Sequence, residues 1–135
     1  MCINELFSVI DSDYVGTHFI KYFKKKYKGS WIETIDTIKN MLSRIDTFIL
    51  TSKAEKIHIC DTWYIAKCRF KIAWSNESPQ SSWNRIIIYV DEVTKNTHIL
   101  LLYGKTHIKW NNETVWRQNE IKNNHPEIAW LFSGL

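Results

Sequence analysis

Basic side chains that can bind phosphate stand at the ends of two apolar runs, residues 85–90 and 97–103. The runs read as neighbouring strands covered on both faces, because nearly every position is β-branched, aliphatic or aromatic. The basic residues at their ends are Arg85, Lys105, His107 and Lys109. Antiparallel neighbours joined by a turn place the start of one strand beside the end of the next. The spacing therefore predicts that Arg85 and Lys105 lie close together at one edge of the sheet.

These residue types suit the cleavage of RNA without a metal. The RNA supplies its own nucleophile, the 2′-hydroxyl, so the protein must orient the strand, move protons and stabilise a charged phosphate. Arg85 and Lys105 are the candidates for charge stabilisation, and His107 is the candidate for proton exchange near neutral pH. An alternative for His107 is a loop residue with no role. The sequence contains no Gly-rich phosphate loop, HExxH motif or CxxC spacing. We therefore expect the protein to have no metal site and no cofactor.

A basic strand supports a polyanion partner. Alternation over residues 64–74 puts three cations, and no acid, on one face: Lys67, Arg69 and Lys71. The pattern predicts a surface that binds an RNA backbone, with an ordinary solvated face as the alternative. Five lysines within residues 21–28 are either a second phosphate-binding patch or a solvated helix end. The net charge of +4 permits a nucleic acid partner without requiring one.

The elements that must position these groups form one domain over residues 1–135. Apolar residues at helical spacing predict helices over 14–27 and 30–49, separated by Gly29 and joined as an antiparallel hairpin. A further helix starts at Asn112 and is limited by Pro126. The predicted fold class is α+β: an N-terminal antiparallel helix hairpin packed on a small twisted antiparallel sheet, with a C-terminal helix. No signal peptide or membrane span is apparent, so we expect a cytoplasmic protein.

This order of elements resembles the RelE/ParE superfamily, the toxins of type II toxin–antitoxin systems. The resemblance covers about residues 16–127. It rests on the helix pair, on the basic segment 65–72, and above all on Asn84–Val90 followed by His98–Thr106. In that family an arginine opens the corresponding strand, and a Gly-Lys or Ser-Lys pair closes the next one. Arg85 and Lys105 match those two positions.

The resemblance implies a function. RelE-like members are ribosome-dependent mRNA endonucleases, ParE-like members poison DNA gyrase, and an antitoxin holds both kinds inactive. It implies that Arg85 and Lys105 are catalytic and that Lys67, Arg69 and Lys71 correspond to the basic strand, although not position by position. The residue types add His107 as a catalytic candidate and Lys109 as a further candidate for binding the RNA backbone. The implied partners are a cognate antitoxin, mRNA and the ribosome, with no membrane.

The chain also departs from the RelE pattern. It has Thr106 where RelE has an arginine after the lysine, and Asn112 where RelE has a downstream tyrosine. His107 or Lys109 would have to substitute. Three hypotheses therefore stay open. The first is a metal-independent endoribonuclease. The second is a non-catalytic protein of the same fold, either a gyrase inhibitor or a partner-binding module. The third is an unrelated α+β domain that binds an acidic protein.

Overall fold

The computed structural model describes residues 6–75, 83–108 and 112–126. A short strand, β1 (Ser8–Asp11), comes first. The helical elements that follow are α1 (Asp13–Val15), a π-helical turn (Gly16–Ile20), α2 (Lys21–Lys26), α3 (Trp31–Ser43) and α4 (Ile45–Phe48). The strands are β2 (Ala54–Ile59), β3 (Trp63–Phe70), β4 (Asn84–Asp91) and β5 (Asn96–Tyr103), and two helices end the described chain, α5 (Lys105–Ile108) and α6 (Glu113–Asn124).

The predicted fold class is wrong in two respects: the first element of the chain is not a helix, and the sheet is not purely antiparallel. The chain begins with a strand, and the five strands form a mixed sheet in the order β1-β5-β4-β3-β2. Strand β1 runs parallel to β5, whereas the other neighbours are antiparallel. Two backbone hydrogen bonds hold the start of β1 in place: Phe7 N–H donates to Ser43 O at 2.8 Å, and Ser8 N–H donates to Lys95 O at 2.9 Å. The helices at 13–26 and 31–48 therefore connect two strands of the sheet.

Helices cover both faces of the sheet. On one face the Phe23 ring of α2 lies 5.9 Å from Phe70, a residue on the apolar side of β3. On the other face the Trp116 ring of α6 lies 4.8 Å from Tyr103, the last residue of β5. Strands β4 and β5 are consequently buried at most positions, as expected for strands packed on both sides. Within the described ranges, no helix has the length and apolar character needed to cross a bilayer.

Candidate anion-binding site

Arg69, Arg85 and Tyr103 lie side by side on one face of the sheet. Arg85 pairs with Arg69 of β3 and with Tyr103 of β5, and directly opposed antiparallel residues point to the same face. Arg85 is only 8% exposed, and its Nη1 donates to Asn84 O at 3.0 Å. Burial, and then the charge of Arg69, lower the pKa of Arg85. Guanidinium still remains charged at neutral pH, so a desolvated cation stands at the start of β4.

Both predicted phosphate-binding residues lie near the ring of Trp83. Its ring centroid lies 5.6 Å from the Arg85 guanidinium carbon and 5.4 Å from Lys105 Nζ. Cations are attracted to the negative face of an indole, and Trp83 itself is 49% exposed. No sequence pattern singled out Trp83. Its position two residues before Arg85, at the end of a polar loop sequence, was the available signal.

The turn that carries Lys105 is tightly packed at Gly104. A Cβ added to Gly104 would stand 3.0 Å from Asn84 Oδ1, which is closer than such atoms normally approach. The same turn is closed by His107, whose backbone N–H donates to Gly104 O at 3.1 Å. Gly104 N–H in turn donates to His107 Nδ1 at 3.0 Å. His107 therefore fixes the conformation of the turn that precedes it.

The His107 ring packs into an aromatic cluster. Its centroid lies 4.5 Å from that of Tyr22, 5.3 Å from Phe19 and 5.8 Å from Phe23. Within the described part of the chain, its Nε2 is buried without a hydrogen-bond partner. Burial lowers the pKa of His107, so the ring is neutral at physiological pH. These contacts hold a turn in place, and proton transfer by His107 stays a prediction.

The predicted RNA-binding cations differ in how far their charges are compensated. Lys67 Nζ lies 3.3 Å from Glu55 and 3.8 Å from Glu113. Arg69 donates to the Ser52 carbonyl at 3.3 Å. Lys71 is exposed beyond the end of β3 and donates to Ser75 O at 3.4 Å. Lys109 lies outside the described residues.

Glu113 also lies at the candidate site, although it was not predicted from the sequence. It starts α6, and its Oε2 accepts a hydrogen bond from the Tyr103 hydroxyl at 3.1 Å. Burial, and then the Glu113 charge, raise the pKa of Tyr103, so this phenol keeps its proton and acts as a donor. An acid on α6 thus reaches into a basic face formed by strands. Over the described ranges, no three His, Cys, Asp or Glu side chains gather as metal ligands.

The mixed five-stranded sheet, covered by helices on both faces, has a RelE-like fold. A chain in the crystal structure of the archaeal RelE-RelB complex from Pyrococcus horikoshii OT3 aligns with a TM-score of 0.54. Its sequence is 14% identical, and the alignment covers 74% of this chain and 96% of that chain. No family model matches this sequence, and no curated protein does. At this identity the similarity shows the fold.

Proposed function

We propose that this protein is the toxin of a toxin–antitoxin pair and that it cleaves mRNA as a ribosome-associated endoribonuclease. The observation that carries the proposal is the convergence of Arg85 and Lys105 on the Trp83 indole. Arg69 lies beside Arg85 on the same sheet face. The RelE-like fold supports this choice over other activities that a cationic strand edge would suit.

In the proposed reaction the RNA 2′-oxygen attacks the adjacent phosphorus while the bond from phosphorus to the 5′-oxygen breaks. Arg85 and Lys105 offset the negative charge that grows on the phosphate oxygens. A base removes the 2′-hydroxyl proton, and an acid protonates the leaving 5′-oxygen. From the sequence, His107 is the predicted proton-transfer residue. In the structure it is hydrogen-bonded to Gly104, which indicates that it holds Lys105 in position. The two roles predict different variant behaviour.

The proposal includes an antitoxin partner. The similar archaeal RelE was crystallised in complex with RelB. We expect an antitoxin to hold the present toxin inactive in the same way. The target is mRNA on the ribosome in the cytoplasm. The RNA backbone would run over the basic face of the sheet and contact Arg69 and Lys71 as well as Arg85. Lys67 and Lys109 are the other two predicted RNA-binding residues.

Induced expression followed by primer extension on cellular mRNA tests the proposal. We expect new 5′ ends in cellular messages and arrested growth, with both effects lost in the Arg85→Ala variant. Arg44 is an exposed arginine on the α3–α4 connection, and Arg44→Ala serves as the matched control that keeps both effects. Intact messages together with normal growth would overturn the proposal.

A second candidate is a non-catalytic binding protein of the same fold, such as a gyrase inhibitor. Two observations favour it: the Lys67 charge is compensated by two carboxylates, and the His107 Nε2 is buried among aromatic rings. A purified-gyrase supercoiling assay separates the two candidates. An endoribonuclease leaves supercoiling unchanged, and a gyrase inhibitor lowers it while cellular messages stay intact.

A further inference from the structure

A cavity of about 350 Å³ is lined by Asn84, the residue before Arg85, at the same end of the sheet but on the opposite face from the Arg85 side chain. Besides Asn84, its wall contains Tyr27, Ile72, Trp74 and Ser75. Asn84 precedes Arg85 in β4, and its side chain lies close to Gly104. The cavity therefore adjoins both the start of β4 and the turn that carries Lys105. Its volume is in the range of small-molecule sites.

Trp74 lines this cavity in an unusual conformation. Its φ is +67°, in the left-handed region that bulky side chains rarely adopt, and its side chain is 73% exposed. Such backbone strain persists where neighbouring contacts enforce it, and it concentrates at ligand sites. A large apolar ring held exposed by a strained backbone indicates a binding surface.

Hydrogen bonds to α3 enforce the conformation of this turn. Ala73 N–H donates to Thr34 Oγ1 at 2.8 Å, and the Thr34 hydroxyl donates to Ser30 O at 2.8 Å. Ser75 N–H closes the turn by donating to Ile72 O at 3.1 Å. The residues on both sides of Trp74 are thus fixed, and the tryptophan is held at the cavity wall.

The wall offers the two kinds of contact that recognise a nucleobase. In the part of the chain that the structure describes, the Trp74 ring stacks on no other aromatic ring, whereas the Trp83 ring is engaged by Arg85 and Lys105. Ser75 Oγ is buried and has no hydrogen-bond partner among those residues. Unstacked RNA bases are bound by stacking on aromatic rings and by hydrogen bonds to their edges.

We infer that this cavity binds one nucleobase of a single-stranded RNA that passes over the start of β4 and has its phosphate at Arg85 and Lys105. Trp74 stacks on the base, and the Ser75 hydroxyl hydrogen-bonds to its edge. The inference rests on the proposed RNA-cleaving function and adds a subsite to it. A base held here would fix the register of the strand relative to the cation pair.

The test compares a labelled six-nucleotide RNA with an abasic ribose-phosphate chain of the same length, by fluorescence anisotropy at low salt. We expect wild type to bind the RNA about tenfold more tightly than the abasic chain, a typical effect of one stacked base. Trp74→Ala should abolish this difference and leave abasic binding unchanged, whereas Trp74→Phe should keep most of it. Ser75→Ala should lose a smaller part of the affinity difference between the RNA and the abasic chain. Leu50→Ala, at another exposed apolar residue, is the matched control and should bind like wild type.

The outcomes separate this inference from the proposed function. Equal wild-type affinity for both oligonucleotides, with binding still lost in Arg85→Ala, would overturn the base subsite alone. Equal losses of RNA and abasic binding in Trp74→Ala would overturn it as well. Failure of wild type to bind either oligonucleotide, or binding that survives Arg85→Ala, would overturn the phosphate site on which the inference rests.

Discussion

Lys67 of β3 lies 3.8 Å from Glu113, the first residue of α6, so an acid of the terminal helix reaches the basic face of the sheet. The two residues are far apart in the sequence and come from different elements. Glu113 also accepts the hydrogen bond of the buried Tyr103 hydroxyl. One carboxylate therefore offsets part of the charge that the proposed substrate would meet.

Removal of the Glu113 charge should strengthen RNA binding. In Glu113→Gln the amide oxygen still accepts from Tyr103, while Lys67 loses one of its two acidic neighbours. We expect the affinity for the six-nucleotide RNA to rise about threefold, in line with the modest energy of partly exposed ion pairs. Glu33→Gln, an exposed acid in the first turn of α3, is the control. Weaker binding in Glu113→Gln would show that this acid supports the site.

The lysines should differ in their share of the salt dependence. Lys105 is exposed beside Trp83, whereas Lys67 is already paired with two carboxylates. The plot of log affinity against log salt has a negative slope, and Lys105→Ala should make it less steep by about 0.7, the value for one single-strand phosphate contact. The change of slope in Lys67→Ala should be clearly smaller. Equal changes in the two variants would contradict this ranking.

His107 should make stability depend on pH. Burial lowers its pKa below the ordinary 6.5, so the unfolded chain binds a proton at pH values where the folded chain does not. The free energy of unfolding should thus be largest above the ordinary pKa and fall as the pH drops from about 7 through the folded pKa. His107→Gln should flatten this dependence in denaturant titrations between about pH 7 and 5. An unchanged slope would argue against a buried neutral ring.

Two substitutions of His107 distinguish a positioning role from a proton-transfer role. Glutamine offers an oxygen that can accept from Gly104 N–H, and phenylalanine fills the aromatic cluster without an acceptor. A positioning role predicts that His107→Gln keeps cleavage within about threefold while His107→Phe loses more. A proton-transfer role predicts losses of about 10²–10⁴-fold in both variants and a changed pH–rate profile.

The strain at Trp74 predicts opposite effects on stability and binding. Trp74→Gly relieves the left-handed conformation and should raise the free energy of unfolding by about 0.5–1 kcal/mol, while RNA affinity falls. Lys95→Gly is the matched control, because Lys95 also has a positive φ, of 59°, in the β4–β5 turn. It should gain similar stability and keep RNA affinity. Denaturant titration and anisotropy on the same preparations check both effects.

The sequence predicted the elements whose patterns are long and local. The stripe along α3 and the apolar runs of β4 and β5 are each visible within one segment. Strand β1 was missed because it has four residues, and it pairs with β5, which lies far along the chain. A parallel pairing of that kind leaves no turn signal beside the strand.

The candidate site was predictable only in part. Hairpin geometry predicted that Arg85 lies near Lys105, and the structure gives the distance of each cation from the Trp83 ring, 5.6 Å and 5.4 Å. The compensation of Lys67 by Glu113 depends on where α6 packs, and no local pattern encodes that. The burial of His107 likewise depends on Phe19, Tyr22 and Phe23 of the preceding helices.

Mapping of mRNA cleavage in cells tests whether Arg85 and Lys105 form the phosphate site of an endonuclease. Wild type, Arg85→Lys and the double variant Arg85→Ala/Lys105→Ala would be induced to equal soluble levels and compared by primer extension. We expect abundant cleavage in wild type, about tenfold less in Arg85→Lys because the bidentate fork is lost, and none in the double variant. Cleavage by the double variant at the wild-type level would contradict the account.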